Sequence, residues 1–375
     1  MVELALDDRL ARRGRARGIP AEAKRRLTVS GDAPESAAEP PPKSSVPKPS
    51  APNPSVAAQP AAPGPSRRAA APAAVTAPAS AAASGGFLYR NFRTQAEIDA
   101  QYDVEASVED FGACVEFFLS NSERVRRKLK PALDIAYGPT AAEHLDLYPA
   151  RAPDAPLHLF IHGGYWHSLS SKEFSFVAEG LVEAGVAVAV LNYDLCPNVT
   201  MTEIVRQNRA AVKWLYENAA RHNCDPDRIS VSGHSAGGHL TAMLMATDWA
   251  GAWGLPPDAV KSGCAVSGLF DLAPFEHSWL QPKLKLNAEE IERNSPIRHI
   301  PQSAGPLIVT LGGDESAEFH RQSQDFLAAW TRAGLPGAYL DLPGLNHFTV
   351  LEGYMDRRSP LCSAILRQIE ETRVG

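Results

Sequence analysis

Ile229–Leu240 reads ISVSGHSAGGHL and places a serine between glycines, Gly233-His234-Ser235-Ala236-Gly237. A serine hydroxyl attacks a carbonyl only when a base takes its proton and an acid steadies that base. The G-x-S-x-G spacing suits a sharp turn from a strand into a helix. Such a turn holds the hydroxyl up at its tip, with the helix N-terminal amides beside it. The chemistry this implies is acyl transfer, and it needs a base, an acid and donors for an oxyanion.

On an open parallel sheet these groups follow strand ends in the chain order serine, acid, histidine. His347, in AYLDLPGLNHFTVL, follows the last strand pattern and is the expected base. Asp314, in PLIVTLGGDESAEF, follows the next-to-last strand and is the expected acid; Glu315 beside it and Asp271 in SGLFDL are the alternatives. His234 and His239 flank the serine and read as packing or pocket groups, and His320 as a helix-surface residue. For the oxyanion, one donor is the Ala236 amide. The others are Gly163 and Gly164 in LHLFIHGGYWHSLS, where the lack of a Cβ lets backbone N–H groups approach a substrate.

The elements that must carry these residues alternate. Helical spacing covers Ser107–Leu129, then DIAYG and EHLDLY read as two strands around a Gly-Pro turn. LHLFI, VAVAVLNY, RISVSG, GCAVSG, PLIVTLG and AYLDL are further strands. Between them lie helical patterns over KEFSFVAEGLVEAG, about 202–221, 236–247, AEFHRQSQDFLAAWTRAG and from about Ser359. Strand–helix alternation with apolar strands predicts an α/β fold with a mostly parallel central sheet flanked by helices.

The chain divides by composition into a basic polar segment, 1–30, readable as a short helix, a Pro/Ala/Ser-rich stretch, 31–86, and an ordinary globular sequence, 87–375. The middle stretch has too few large apolar groups to offset its ordering entropy, which predicts a disordered linker. The basic segment is either a solvated tail or a docking element for an acidic protein partner. A net charge of −6 gives no global field for nucleic acid, and no apolar run is long enough to span a membrane. The start, MVELALDDRLARR, lacks a secretory apolar core, so a cytoplasmic location is expected. Five scattered cysteines without a CxxC pair fit reduced core thiols.

HGGYW, GHSAGGH, GGDES and NHF, in this order, resemble the α/β-hydrolase fold on its hormone-sensitive-lipase side. More closely, they are similar to the kynurenine formamidases (arylformamidases) and their bacterial esterase relatives. The resemblance runs from about Phe87 to the C-terminus, including YRNFRTQAEIDAQYD and AYGPTAAEHLDLYPA, and does not cover the first 85 or so residues. Lipase-like members carry a third glycine where this chain has Tyr165, followed by Trp166; the formamidase branch has Tyr-Trp there. Those rings either pack on a planar substrate or support the loop, with His234 as a further pocket group.

The resemblance implies a serine hydrolase of aryl formamides of the N-formylkynurenine type and of short-chain esters, acting through an acyl-enzyme without metal or cofactor. Its partner would be a small-molecule substrate, and a homodimer is compatible with it. The alternatives are a general short-chain carboxylesterase or amidase with an unrelated substrate, and a non-catalytic ligand-binding protein on the same fold.

Overall fold

The computed structural model describes residues 86–372. The basic segment 1–30 and nearly all of the Pro/Ala/Ser stretch lie outside the described residues.

Eight strands form one sheet in the order β1-β2-β4-β3-β5-β6-β7-β8. They are β1 (Ala132–Ala136), β2 (His144–Tyr148), β3 (Ala155–Ile161), β4 (Ala187–Leu191), β5 (Cys224–His234), β6 (Ser262–Val266), β7 (Leu307–Gly312) and β8 (Gly337–Leu342). The pairs β1–β2 and β2–β4 are antiparallel, and every pair from β4 through β8 is parallel. This is the mostly parallel sheet expected from the alternation.

The inner strands β4, β6 and β7 are buried along their whole length because both faces of the sheet are covered there. Along β3, Leu157, Leu159 and Ile161 enter one buried cluster, while Phe160 enters the cluster on the other face. Along β4, Ala187, Ala189 and Leu191 share the first cluster, and Val188 and Val190 the second. That alternation is the two-residue period of a pleated strand.

The helices that bear on the site are α1 (Gln95–Tyr102), α2 (Phe111–Leu129), α3 (Ala178–Glu183), α4 (Met201–Asn218), α5 (Ala236–Met245), α6 (Ala288–Asn294), α7 (Ala317–Arg332) and α8 (Pro360–Glu371). Two boundaries differ from the sequence expectation. The helix expected from Ser107 starts at Phe111, because Asp110 supplies the cap: its carboxylate accepts from Ala113 N–H at 2.9 Å. The single helix expected over KEFSFVAEGLVEAG is a 3₁₀ segment, Ser171–Val177, leading into α3. Phe174, Phe176 and Val177 are all buried there, more than one α-helical face would cover.

Candidate active site

β5 ends at His234 and α5 begins at Ala236, so Ser235 is the whole turn. Its φ of 57° and ψ of −118° lie outside the ordinary regions for an L-residue. Close backbone approach makes this turn possible. A Cβ on Gly237 would sit 1.9 Å from the Ile161 carbonyl oxygen, and one on Gly233 would sit 2.2 Å from that of Gly237. Only glycine fits at either position. The Ser235 N–H donates to the Val266 carbonyl at 2.9 Å, tying the turn to the end of β6.

His347 follows β8 and is buried. Its Nδ1–H donates to Glu315 Oε2 at 2.7 Å, and the two side chains are 4% and 1% exposed. A buried carboxylate accepts, so Nδ1 carries the proton and Nε2 keeps its lone pair. Glu315 Oε1 accepts from Ser267 Oγ–H at 2.5 Å and from Gly312 N–H at 2.8 Å.

The expected pairing of Asp314 with His347 is corrected here. Asp314 is exposed, and the residue after it faces the imidazole. The cause is local: Glu315 N–H donates to the Gly312 carbonyl at 3.1 Å, closing a four-residue turn with Asp314 at its outer edge. Glu315, in the last position, returns toward the sheet. Asp271 lies elsewhere, accepting from Tyr89 O–H at 2.8 Å and from Ala273 N–H at 3.1 Å. His320 is on α7, half-buried, with Nε2 3.1 Å from the Gly313 carbonyl.

The glycine loop after β3 meets the serine turn. A Cβ on Gly163 would lie 3.1 Å from Ser235 Cβ and 3.0 Å from the His234 carbonyl oxygen. Gly164 has φ 105°, and the next two residues, Tyr165 and Trp166, also have positive φ, 49° and 59°. The Gly164 carbonyl accepts from His167 N–H and Ser168 N–H, both at 3.1 Å, which folds the loop back on itself. Ala236, at the first position of α5, is fully buried beside Ser235. Gly163 therefore lies against the Ser235 turn and Ala236 follows Ser235 in the chain, while Gly164 is packed against Ser168.

The three residues expected to bind substrate each have a hydrogen-bond partner within the protein. Trp166 has no exposed surface, and its Nε1–H donates to His239 Nδ1 at 3.1 Å. Tyr165 is buried and donates its O–H to the Tyr102 carbonyl at 2.6 Å; burial pushes that phenol well above its ordinary range, and Glu315 adds to the shift. Both rings are buried against protein and hydrogen-bonded to it, contacts that a supporting role for the loop would use. His234 Nε2 lies 2.8 Å from the His347 carbonyl, and the two rings are 4.5 Å apart. Burial, reinforced by His347, holds His234 far below the usual imidazole range, so it is neutral and ties the end of β5 to the His347 loop.

His239 continues the loop support outward. Burial pushes it down to about 4, so it stays neutral, with Nδ1 accepting from Trp166 and Nε2 bonded to the Asn294 carbonyl at 2.6 Å. Asn294 closes α6, and its side-chain amide donates to Thr202 Oγ1 on α4 at 3.0 Å. Glu315 was among the alternatives in the sequence, whereas Ser267 carried no motif that singled it out. Its one signal was its position directly after a central strand neighbouring both the serine and acid strands.

Two family models match this region: BD-FAE over residues 145–251 and the prolyl oligopeptidase family over 202–359. The kynurenine formamidase of Danio rerio is 32% identical over 264 residues, covering 68% of this chain and 88% of the relative. Esterase LipQ of Mycobacterium tuberculosis is 30% identical over 246 residues, covering 59% of this chain and 58% of the relative. Among solved structures, one described as a putative thioesterase from Silicibacter sp. is similar at a TM-score of 0.65 and 27% identity, covering 72% of this chain and 99% of that one. A parallel sheet with a strained serine turn, a glycine loop and a histidine after the last strand agrees with these matches: the chain belongs to the kynurenine formamidase family of α/β-hydrolases.

Proposed function

We propose that this protein is a serine hydrolase that cleaves aryl formamides of the N-formylkynurenine type, and short-chain esters, through an acyl-enzyme. Ser235 is the nucleophile, His347 the general base, and Glu315, rather than Asp314, the acid. One observation carries the reading: the imidazole of His347 is held by a fully buried carboxylate in the tautomer that leaves Nε2 able to take a proton.

Ser235 Oγ attacks the substrate carbonyl while His347 Nε2 accepts its proton. The imidazolium so formed is stabilised by Glu315, which stays ionised. The N–H groups of Gly163, Gly164 and Ala236 receive the oxyanion, each such donor being worth ~10²–10³ in turnover. His347 then protonates the departing amine or alcohol, and water, activated by the same imidazole, releases the formyl or short acyl group. The similarity to the formamidase of Danio rerio supports the formamide, and that to esterase LipQ supports the ester activity.

The test is parallel kcat/KM measurement for N-formylkynurenine and p-nitrophenyl acetate, with Ser235→Ala and His347→Ala as controls. Each control is expected to lose ~10³-fold or more. A strong preference for the formamide supports the named substrate. Ester turnover with negligible formamide cleavage discards that substrate and leaves a carboxylesterase.

A further inference from the structure

We infer that Ser267 is a positioning residue of the reaction, holding the acid of the triad in its working orientation through its hydroxyl. The inference rests on the proposed role of Glu315.

Ser267 directly follows β6, which lies between the strand that leads to Ser235 and the strand that leads to Glu315. The end of β6 is bonded both ways. The Val266 carbonyl accepts from Ser235 N–H at 2.9 Å, and Ser267 N–H donates to the Thr310 carbonyl at 2.7 Å. Ser267 is fully buried and carries φ 51°, a conformation that costs a residue with a Cβ ~1 kcal/mol or more. Glycine would take this backbone at no such cost. What serine adds is a hydroxyl, and that hydroxyl lies 2.5 Å from Glu315 Oε1.

A glutamate has one more rotatable bond than an aspartate, so an acid at this position needs more fixing. Bonded only to His347, its carboxylate could swing about its long stem. Ser267 Oγ–H and Gly312 N–H pin the distal oxygen, leaving Oε2 aimed at Nδ1. Ser267 reaches the substrate only through Glu315. It therefore bears on the step in which the imidazolium forms, and ground-state binding is untouched by it.

Ser267→Gly is the discriminating variant, because it relaxes the backbone while deleting the hydroxyl. On p-nitrophenyl acetate the full-length variant is expected to lose about tenfold or more in kcat with KM within about twofold of the parent. In a Glu315→Gln background the same change is expected to cost less than about twofold, since its target has already been altered. A thermal midpoint at or near the parent's shows that the fold is kept; Ser267→Cys, which fills the space with a weak donor, is expected to show the same kcat loss if the glycine variant folds poorly. Parent-like kcat in the folded Ser267→Gly and Ser267→Cys variants, or an undiminished loss in the Glu315→Gln background, overturns the inference alone. Full activity of Glu315→Gln beside an inactive Asp314→Asn instead overturns the acid assignment, and this inference with it.

Discussion

Two glycine-bearing turns build this site, and they are specified in different ways. At Gly233–Gly237 the backbone itself is crowded: atoms of β3 and of the turn stand where side chains at Gly233 and Gly237 would begin. At Gly312–Glu315 the backbone is crowded too, a Cβ on Gly312 lying 2.3 Å from the Leu345 carbonyl oxygen, but what matters for the site is which of two adjacent carboxylates returns toward the sheet. The first turn is written in residue types and spacing, so a motif reports it. The second is decided by the phase of a turn, which spacing alone leaves ambiguous by one residue. A sequence motif is therefore a better guide to the proposed nucleophile than to the proposed acid.

The comparison breaks most sharply at Gly237. Gly237→Ala puts a methyl 1.9 Å from the Ile161 carbonyl, and neither partner is a flexible side chain. A stability loss above ~3 kcal/mol, with loss of activity, is expected in urea unfolding and ester assays. A parent-like urea midpoint would mean the crowding is easily relieved.

The next largest effect lies in the second turn. Glu315→Gln is expected to lower kcat by ~10²–10⁴, because the neutral amide no longer stabilises the imidazolium and favours the wrong tautomer. Asp314→Asn, at the exposed edge of the same turn, is expected to stay within about twofold. Paired steady-state kinetics of the two variants decides between the neighbours. The reverse pattern would return the acid to Asp314 and require the turn to rearrange in solution.

The legibility of the rest follows the same division. The parallel strands were visible because burial on both faces makes them continuous apolar runs, as in VAVAVL and LIVTLG. α5 and the serine turn were visible because glycine has few reasons to occur twice around a serine. Helix α1 was not singled out, although Thr94 and Glu97 form a reciprocal cap that the Thr-x-x-Glu spacing announces. Its role emerges only in three dimensions, where the Tyr102 carbonyl receives Tyr165 O–H. The aromatic pair after the glycines was visible as residue types, and its role was not. Which way a ring faces depends on the path of the loop backbone, which residue types do not specify. Tyr165 and Trp166 both have positive φ, and both are buried.

The smallest of the losses expected here is at Trp166. Trp166→Phe keeps an aromatic ring near Phe275, whose centroid is 5.8 Å from the indole, and deletes part of the indole together with the N–H that His239 Nδ1 accepts. The lone pair left behind is buried without a donor, which typically costs ~1–3 kcal/mol. Because the bond anchors the glycine loop to α5, part of that cost should be felt by Gly163 and Gly164. A loss of about three- to tenfold in kcat/KM is expected, equal for N-formylkynurenine and p-nitrophenyl acetate. Equality is the decisive feature, since both substrates place their oxyanion against the same amides. A loss confined to the aromatic formamide would mean that the indole reaches the substrate once the loop opens, and that the second of the two sequence readings describes only the resting state.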